Sequence, residues 1–175
     1  MVDSLVFNMN LISKIYFPRE VLPVSAALAR LLDFAIAFAI LIVLMVAYRL
    51  PVFTPAWLYL PVILLVQLIF TLGLGLAGAA LNVFYRDMRH LFALALQLWL
   101  YASPIIYPVS AVPEQYRPLY FLNPMAGILA AYREALLGQQ TPGIYFLVAT
   151  VISLVVFFAG YWFFRRVEPR FADVV

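Results

Sequence analysis

Residues 57–84 carry no charged side chain, and Gln67 is the only strongly polar group in the middle of the run. A stretch that long and that apolar has few ways to satisfy its own amides and carbonyls. Inside hydrocarbon it must be a helix, because every main-chain polar group has to be bonded within the segment. Three further mainly apolar runs follow the same rule, over residues 24–48, 91–107 and 144–164. The last contains 21 residues and would rise about 31 Å, enough for one crossing. Trp57 and Tyr59 mark one end of the second run, Phe84 and Tyr85 its other end, and Tyr161 and Trp162 form a belt near the end of the last. The composition agrees, with 67% hydrophobic and 11% charged residues, against roughly 25% charged in a soluble domain. The expected fold class is all-α: a polytopic helical membrane protein in one domain, residues 1–175, with about four transmembrane helices and an outward-facing helical hairpin.

Polar residues within the runs are few. Arg30 and Asp33 lie inside the first, one helical turn apart, so their side chains can pair. Two readings stand open: a structural pair facing other helices, or a pair lining a pathway or gate. Residues 49–55 form a proline-bounded turn. Gly73, Gly75, Ala77, Gly78, Ala79 and Ala80 make the second half of the second run small, which lets a neighbouring helix approach closely. Pro104 and Pro108 make the outer end of the third run irregular. Gln97, Tyr101 and Ser103 either line a polar seam there or bond to neighbouring helices.

Residues 109–140 are too polar to span and too apolar for an ordinary loop. A short segment begins at Pro113 and ends near Leu122. Asn123 and Pro124 then have the residue types of an N-cap and a first helical position. The helix would run over residues 125–137, with Arg133 and Glu134 near its end and Gly138 as a left-handed cap. Such a hairpin is a candidate lid or gate, since irregular backbone at membrane depth needs protein or a water-filled cavity around it.

Cations set the topology. Lys14, Arg19, Arg30, Arg86, Arg89, Arg165, Arg166 and Arg170 fall on one side, and Arg49, Arg117 and Arg133 on the other. The positive-inside rule assigns both termini and the turn at residues 86–90 to the cytoplasm, and the hairpin to the outside. A net charge of +3 placed at the ends of apolar runs is not a phosphate-binding face, so no nucleic-acid partner is expected. Residues 1–23 contain Asp3, Lys14, Arg19 and Glu20 and lack the apolar core and cleavage site of a signal peptide.

Catalytic chemistry has little to stand on. The chain has no cysteine and one histidine, His90, which leaves no ordinary zinc set. His90 beside Arg86, Asp87 and Arg89 reads as solvated or partner-facing rather than as a base. Asp33, Asp87, Glu114, Glu134 and Glu168 are scattered over different helices and both faces, without a pair suited to acid–base work. Phosphate-cradling and serine-nucleophile motifs are absent. The chain does not read as an enzyme, and no catalytic, cofactor or metal residues are expected in it. At the N-terminus, Leu5, Asn8, Leu11, Ile12 and Ile15 recur at helical spacing, with Asn10 and Lys14 off that face. This describes either a short amphipathic helix docking on the membrane or a partner, or an interfacial tail. Pro18 and Pro23 are expected to end it and bend the chain toward the bilayer.

Four stretches carry a family resemblance: NMNLISKIYFPREVLP at residues 8–23, LNVFYRDMRH at 81–90, WLYASPIIYP at 99–108 and LNPMAGILAAYREALLG at 122–138. Together, and in this order, they resemble the permease subunit of type-2 ABC exporters, closest to those exporting O-antigen, capsule and teichoic acid. Those permeases have six spans, with an amphipathic helix and two spans before the coupling segment; the likeness here begins at that segment, so the first third of the family pattern has no counterpart. The resemblance implies an ATP-driven exporter of lipid-linked polysaccharide in the bacterial inner membrane. It further implies a homodimer working with a separate ATP-binding cassette subunit that holds ATP and Mg. Asn8, Leu11, Ile12, Lys14 and Tyr16 would dock on that ATPase, and Phe17, Pro18, Arg19 and Glu20 would set the angle to the first span. Arg86, Asp87, Arg89 and His90 would brace the cytoplasmic turn. Pro113, Asn123, Pro124, Arg133 and Glu134 would belong to the outer gate, and Trp99, Tyr101 and Tyr107 would stack on sugar faces. The alternatives are a permease for drugs or other lipids, and a truncated membrane remnant that transports nothing.

Overall fold

The computed structural model describes residues 1–6, 18–85, 87–107, 109–138 and 140–171. Among these, every regular element is helical. They are α1 (Val21–Ala47), α2 (Leu60–Phe84, preceded by a 3-10 turn Pro55–Tyr59), α3 (Met88–Ala102), α4 (Arg117–Tyr120), α5 (Pro124–Arg133) and α6 (Ile144–Val167). Short 3-10 turns lie at Val109–Ala111, Glu114–Tyr116 and Glu168–Arg170, and a π-helical turn at Glu134–Gly138. The chain is a polytopic helical membrane protein: three stretches, Val21–Ala47, Pro55–Phe84 and Ile144–Arg170, are long and apolar enough to cross a bilayer.

The third expected span differs. α3 has 15 residues and stops at Ala102, short of the expected end at Tyr107. It rises about 22 Å, less than the roughly 30 Å of hydrocarbon. The cause is local. Ser103 precedes Pro104, whose ring excludes its neighbour from the helical region, and Ser103 is extended at φ −103°, ψ 151°. Pro23 also behaves differently from expectation. It does not end a preceding helix but sits buried in the first turn of α1, where a missing N–H costs nothing.

α2, α5 and α6 form the centre. α2 packs most extensively on α6, and α6 next on α5. Glycines bring these backbones together. A Cβ on Gly73 would lie 2.6 Å from Phe157 Cα of α6, and Gly160 faces Gly73 from the other side. A Cβ on Gly127 would lie 2.6 Å from the Tyr145 carbonyl oxygen. Gly78 meets the ring of Phe92 on α3. The small-residue half of α2 is therefore the helix-packing surface that its composition predicted. One apolar cluster joins Ile63, Val66 and Phe70 of α2 to Ile128 and Ala131 of α5 and Ala149 of α6. Another closes the opposite end around Leu76, Val83, Phe164 and Phe171. α1 and α3 flank this centre, with most of their apolar side chains outward.

The turn after α1 closes tightly. Arg49 takes a left-handed conformation at φ 56°, and Leu50 N–H reaches back to the Met45 carbonyl at 2.8 Å while Arg49 N–H bonds Val46 at 3.0 Å. These are the paired bonds that end a helix at a left-handed residue. Gly138 does not adopt that form. No glycine among the described residues has a positive φ, because the helix leaves α5 through the wider π turn, with Gln140 N–H bonding the Glu134 carbonyl at 3.0 Å.

Candidate functional site

Hydroxyls within the long helices are satisfied locally. Thr71, Thr150 and Ser153 each donate to the carbonyl one turn back, at 2.7–2.8 Å. Tyr132 of α5 donates its hydroxyl to Gln67 Oε1 of α2 at 2.9 Å, and Arg30 pairs with Asp33 along α1; most other polar contacts collect at the two ends of the bundle.

At one end lies the junction of α3 with the hairpin. Asn123 caps α5, its Oδ1 accepting the Met125 N–H at 3.1 Å, as its position before Pro124 predicts. The same oxygen accepts the Trp99 indole N–H at 2.8 Å, and Asn123 Nδ2 donates to Ser103 Oγ at 3.0 Å. Ser103 is buried. One side chain thus holds α5, the end of α3 and the bend between them. Arg133, at the other end of α5, donates to the carbonyls of Ile105 and Tyr107 at 3.0 and 3.2 Å. Glu134 accepts the Gly143 N–H at 2.8 Å, at the start of α6. The irregular segment 103–107 is therefore tied to α5 at both its ends. Pro113 is exposed and leads into Glu114–Tyr116, and Pro124 is buried.

The three aromatics expected along a sugar path have different neighbours. Trp99 packs edge-on against Phe70, ring centroids 5.8 Å apart, with its N–H already engaged. Tyr101 is exposed on α3. Tyr107 pairs its hydroxyl with that of Tyr120 at 2.9 Å. Burial first, then this hydrogen bond, push the Tyr120 phenol well above its ordinary range, with Arg133 opposing. Between α2 and α3 lies a cavity of about 430 Å³, lined by Phe70, Leu74, Phe92, Leu96, Trp99 and Met125 among others. Its lining is almost wholly apolar, since the hydroxyl of Thr71 donates within its own helix and that of Ser103 accepts from Asn123.

The opposite end gathers the cations. Asn82, buried at the end of α2, accepts Arg89 N–H at 3.2 Å and donates to Asp3 Oδ1 at 3.1 Å. It joins the N-terminus, α2 and the start of α3. Sequence reasoning missed Asn82 and left the partner of Ser103 open. The available signal was a polar side chain at the end of an uncharged run. Asp87, Arg89 and His90 are exposed, with Arg89 Nε donating to His90 Nε2 at 3.1 Å. Pro18 is exposed, its carbonyl accepting the Val21 N–H at 3.1 Å, while Arg19 and Glu20 meet the end of α6: Arg19 donates to the Glu168 carbonyl at 2.6 Å, and Arg165 bridges Glu20 and Glu168 at 3.1 Å each. Asn8, Leu11, Ile12, Lys14, Tyr16, Phe17 and Arg86 lie outside the described residues.

Arg30 and Asp33 do pair, at 2.8 Å, but their side chains remain 82% and 64% exposed. Among the described residues the pair faces no other helix. It projects from the outer side of α1.

Long apolar helices, glycine-mediated crossings and an α3–hairpin junction tied by buried polar contacts define a polytopic helical membrane protein. The chain belongs to the ABC-2 type transporter family, whose profile matches residues 3–137. It is similar to the O-antigen export system permease protein RfbA of Myxococcus xanthus, 33% identical over 171 residues, 95% of this chain and 65% of that protein. A protein of the same name from Klebsiella pneumoniae is 27% identical over 173 residues, 98% of this chain and 66% of the relative. The polysialic acid transport protein KpsM of Escherichia coli is 26% identical over 155 residues, covering 86% and 60%. The chain thus spans 65–66% of the length of the first two relatives.

Proposed function

We propose that the chain is the transmembrane part of an ATP-driven exporter that moves lipid-linked polysaccharide across the bacterial inner membrane. Its permease relatives, named for O-antigen export and polysialic acid transport, support this over 86–98% of the chain. ATP and Mg belong to a separate cassette ATPase, which residues 8–16 would dock, with 17–20 setting their angle to α1. The exposed Asp87, Arg89 and His90 lie on the same end as Arg19 and Arg165, and this supports a shared face toward that ATPase. Both termini are proposed to be cytoplasmic, a reading the excess of cations supports, and two copies are proposed to enclose the path. Copurification from membranes tests the assignment. Deleting residues 8–16 should abolish retention of the ATPase; retention at the original level refutes the docking role.

The apolar cavity between α2 and α3 favours a second reading, export of a drug or lipid instead of a glycan carrier. Stimulation of ATP turnover separates the two. A glycan–lipid carrier should stimulate under the first reading, and amphiphilic drugs under the second.

A further inference from the structure

We infer that Arg165 is a positioning residue that carries movement of the docking segment into α6; the inference rests on the exporter reading above. Residues 18–20 leave the docking segment and enter α1 directly, since α1 begins at Val21. α1 is a poor element to push, because it flanks the bundle with most of its apolar side chains outward. Two of these residues, Arg19 and Glu20, are fastened elsewhere. Glu20 Oε1 lies 3.1 Å from Arg165 Nη1, and Arg165 also reaches Glu168 Oε2 at 3.1 Å. Arg19 donates to the Glu168 carbonyl, 149 positions away in sequence, and its guanidinium carbon stands 5.8 Å from the centre of the Phe171 ring. Phe171 is buried between Phe84 of α2 and Phe164 of α6, each ring centroid 5.7 Å away. Arg166 lies over Trp162 at 5.1 Å and takes no part in the bridge.

α6 is the helix that can transmit such a push. It runs against α2 at Gly73 and Gly160, then against α5 at Gly127 and Ala149, close to the hairpin. Backbones in direct contact move together, because no flexible side chain lies between them. The route runs from residues 18–20 through Arg165 to α6 and on to α5. The bridge is exposed on its cation side, with 56% of the Arg165 side chain accessible against 28% of Glu20 and 19% of Glu168, and a pair with one partner in solvent adds little stability. Its loss should leave the amount of folded protein unchanged while altering what the protein does with ATP.

The test uses the full protein in membranes with its ATPase, and reads accumulation, ATPase retention, ATP hydrolysis and glycan exported. Arg165→Glu should leave accumulation unchanged and, in the complexes that retain the ATPase, lower export per ATP hydrolysed by about fivefold or more. Arg165→Gln, which removes the cation without adding repulsion, should fall between, and it carries the test if Arg165→Glu fails to accumulate. Glu20→Arg and Glu168→Gln combined with Arg165→Glu restore opposite charges across the junction without leaving two carboxylates together, and should recover export per ATP. Unchanged export per ATP in the single variants, or no recovery in the triple variant with the ATPase still bound, overturns the inference and leaves the exporter reading standing. If the unaltered protein retains no ATPase, the exporter reading falls and takes the inference with it.

Discussion

Trp99 donates its indole N–H to Asn123 Oδ1 at 2.8 Å, across 24 positions of sequence and between two helices. That oxygen also caps α5, and the amide nitrogen of the same side chain holds Ser103. Asn123→Ala removes the cap and leaves the buried Ser103 hydroxyl and the indole N–H without protein partners. The expected cost is about 2–4 kcal/mol, read from thermal unfolding in detergent by tryptophan fluorescence. Asn123→Asp keeps the acceptor for Trp99 and Met125 and should cost clearly less. Equal losses in the two variants would contradict the three-way role of Asn123.

The crossing of α2 and α6 leaves no room for a side chain at Gly73, where a Cβ would stand 2.6 Å from Phe157 Cα. Gly73→Val should prevent stable accumulation in membranes. Gly138→Ala makes the contrast, since the nearest atom to its Cβ is a carbonyl oxygen 3.8 Å away and its φ is not positive. That variant should lie within about 0.5 kcal/mol of the parent. Quantitative blotting of membranes and melting in detergent distinguish the two.

Arg30 and Asp33 neutralise each other on the outer side of α1. Asp33→Ala leaves an unpaired cation in an apolar helix. On insertion scales a lone charge at the centre of a span costs about 2.5–3.5 kcal/mol, and the position of this pair toward one end of α1 makes that an upper value. The loss should appear as reduced membrane insertion, with Arg30→Leu combined with Asp33→Leu restoring it. A double variant that inserts no better than Asp33→Ala would show that the pair is needed for more than charge balance.

Tyr120 is held as a phenol first by burial and then by the hydroxyl of Tyr107. A folded-state pKa above the unfolded one contributes stability that is fully present below about pH 10 and is lost as pH climbs past it. Stability should therefore be flat in this term up to pH 10 and fall above it. Tyr107→Phe should move Tyr120 back toward its ordinary value. The phenolate absorbance that disappears in Tyr120→Phe reports that titration, and an unmoved midpoint would contradict the pairing.

Much of the local structure was legible from residue types alone. Asn123 followed by Pro124 gave the start of α5 because cap and first-turn preferences act within a few residues. The small residues from Gly73 to Ala80 marked a packing surface for an equally local reason. The end of α3 was legible in principle at Ser103-Pro104, yet the uncharged run continues past it, and hydropathy does not register a backbone constraint. The site was less legible. Trp99, Tyr101 and Tyr107 have the chemistry of a sugar-stacking path, but the fold points them to different neighbours and engages the polar groups of two.

By itself the sequence determined that the chain enters a membrane as helices, roughly where each begins and ends, and which end of the bundle is cationic. These follow from hydrophobic run length, proline and cap chemistry, and charge position, all of which act over one segment at a time. Tertiary structure decided that α6 packs against both α2 and α5, that Arg133 holds the carbonyls of residues 105 and 107, and that Arg165 meets Glu20. It also turned Arg30 and Asp33 outward. The physical reason is that helical periodicity specifies a face but not the neighbour it meets; close approach of glycine backbones and pairing of distant polar groups select that neighbour only once the helices are packed.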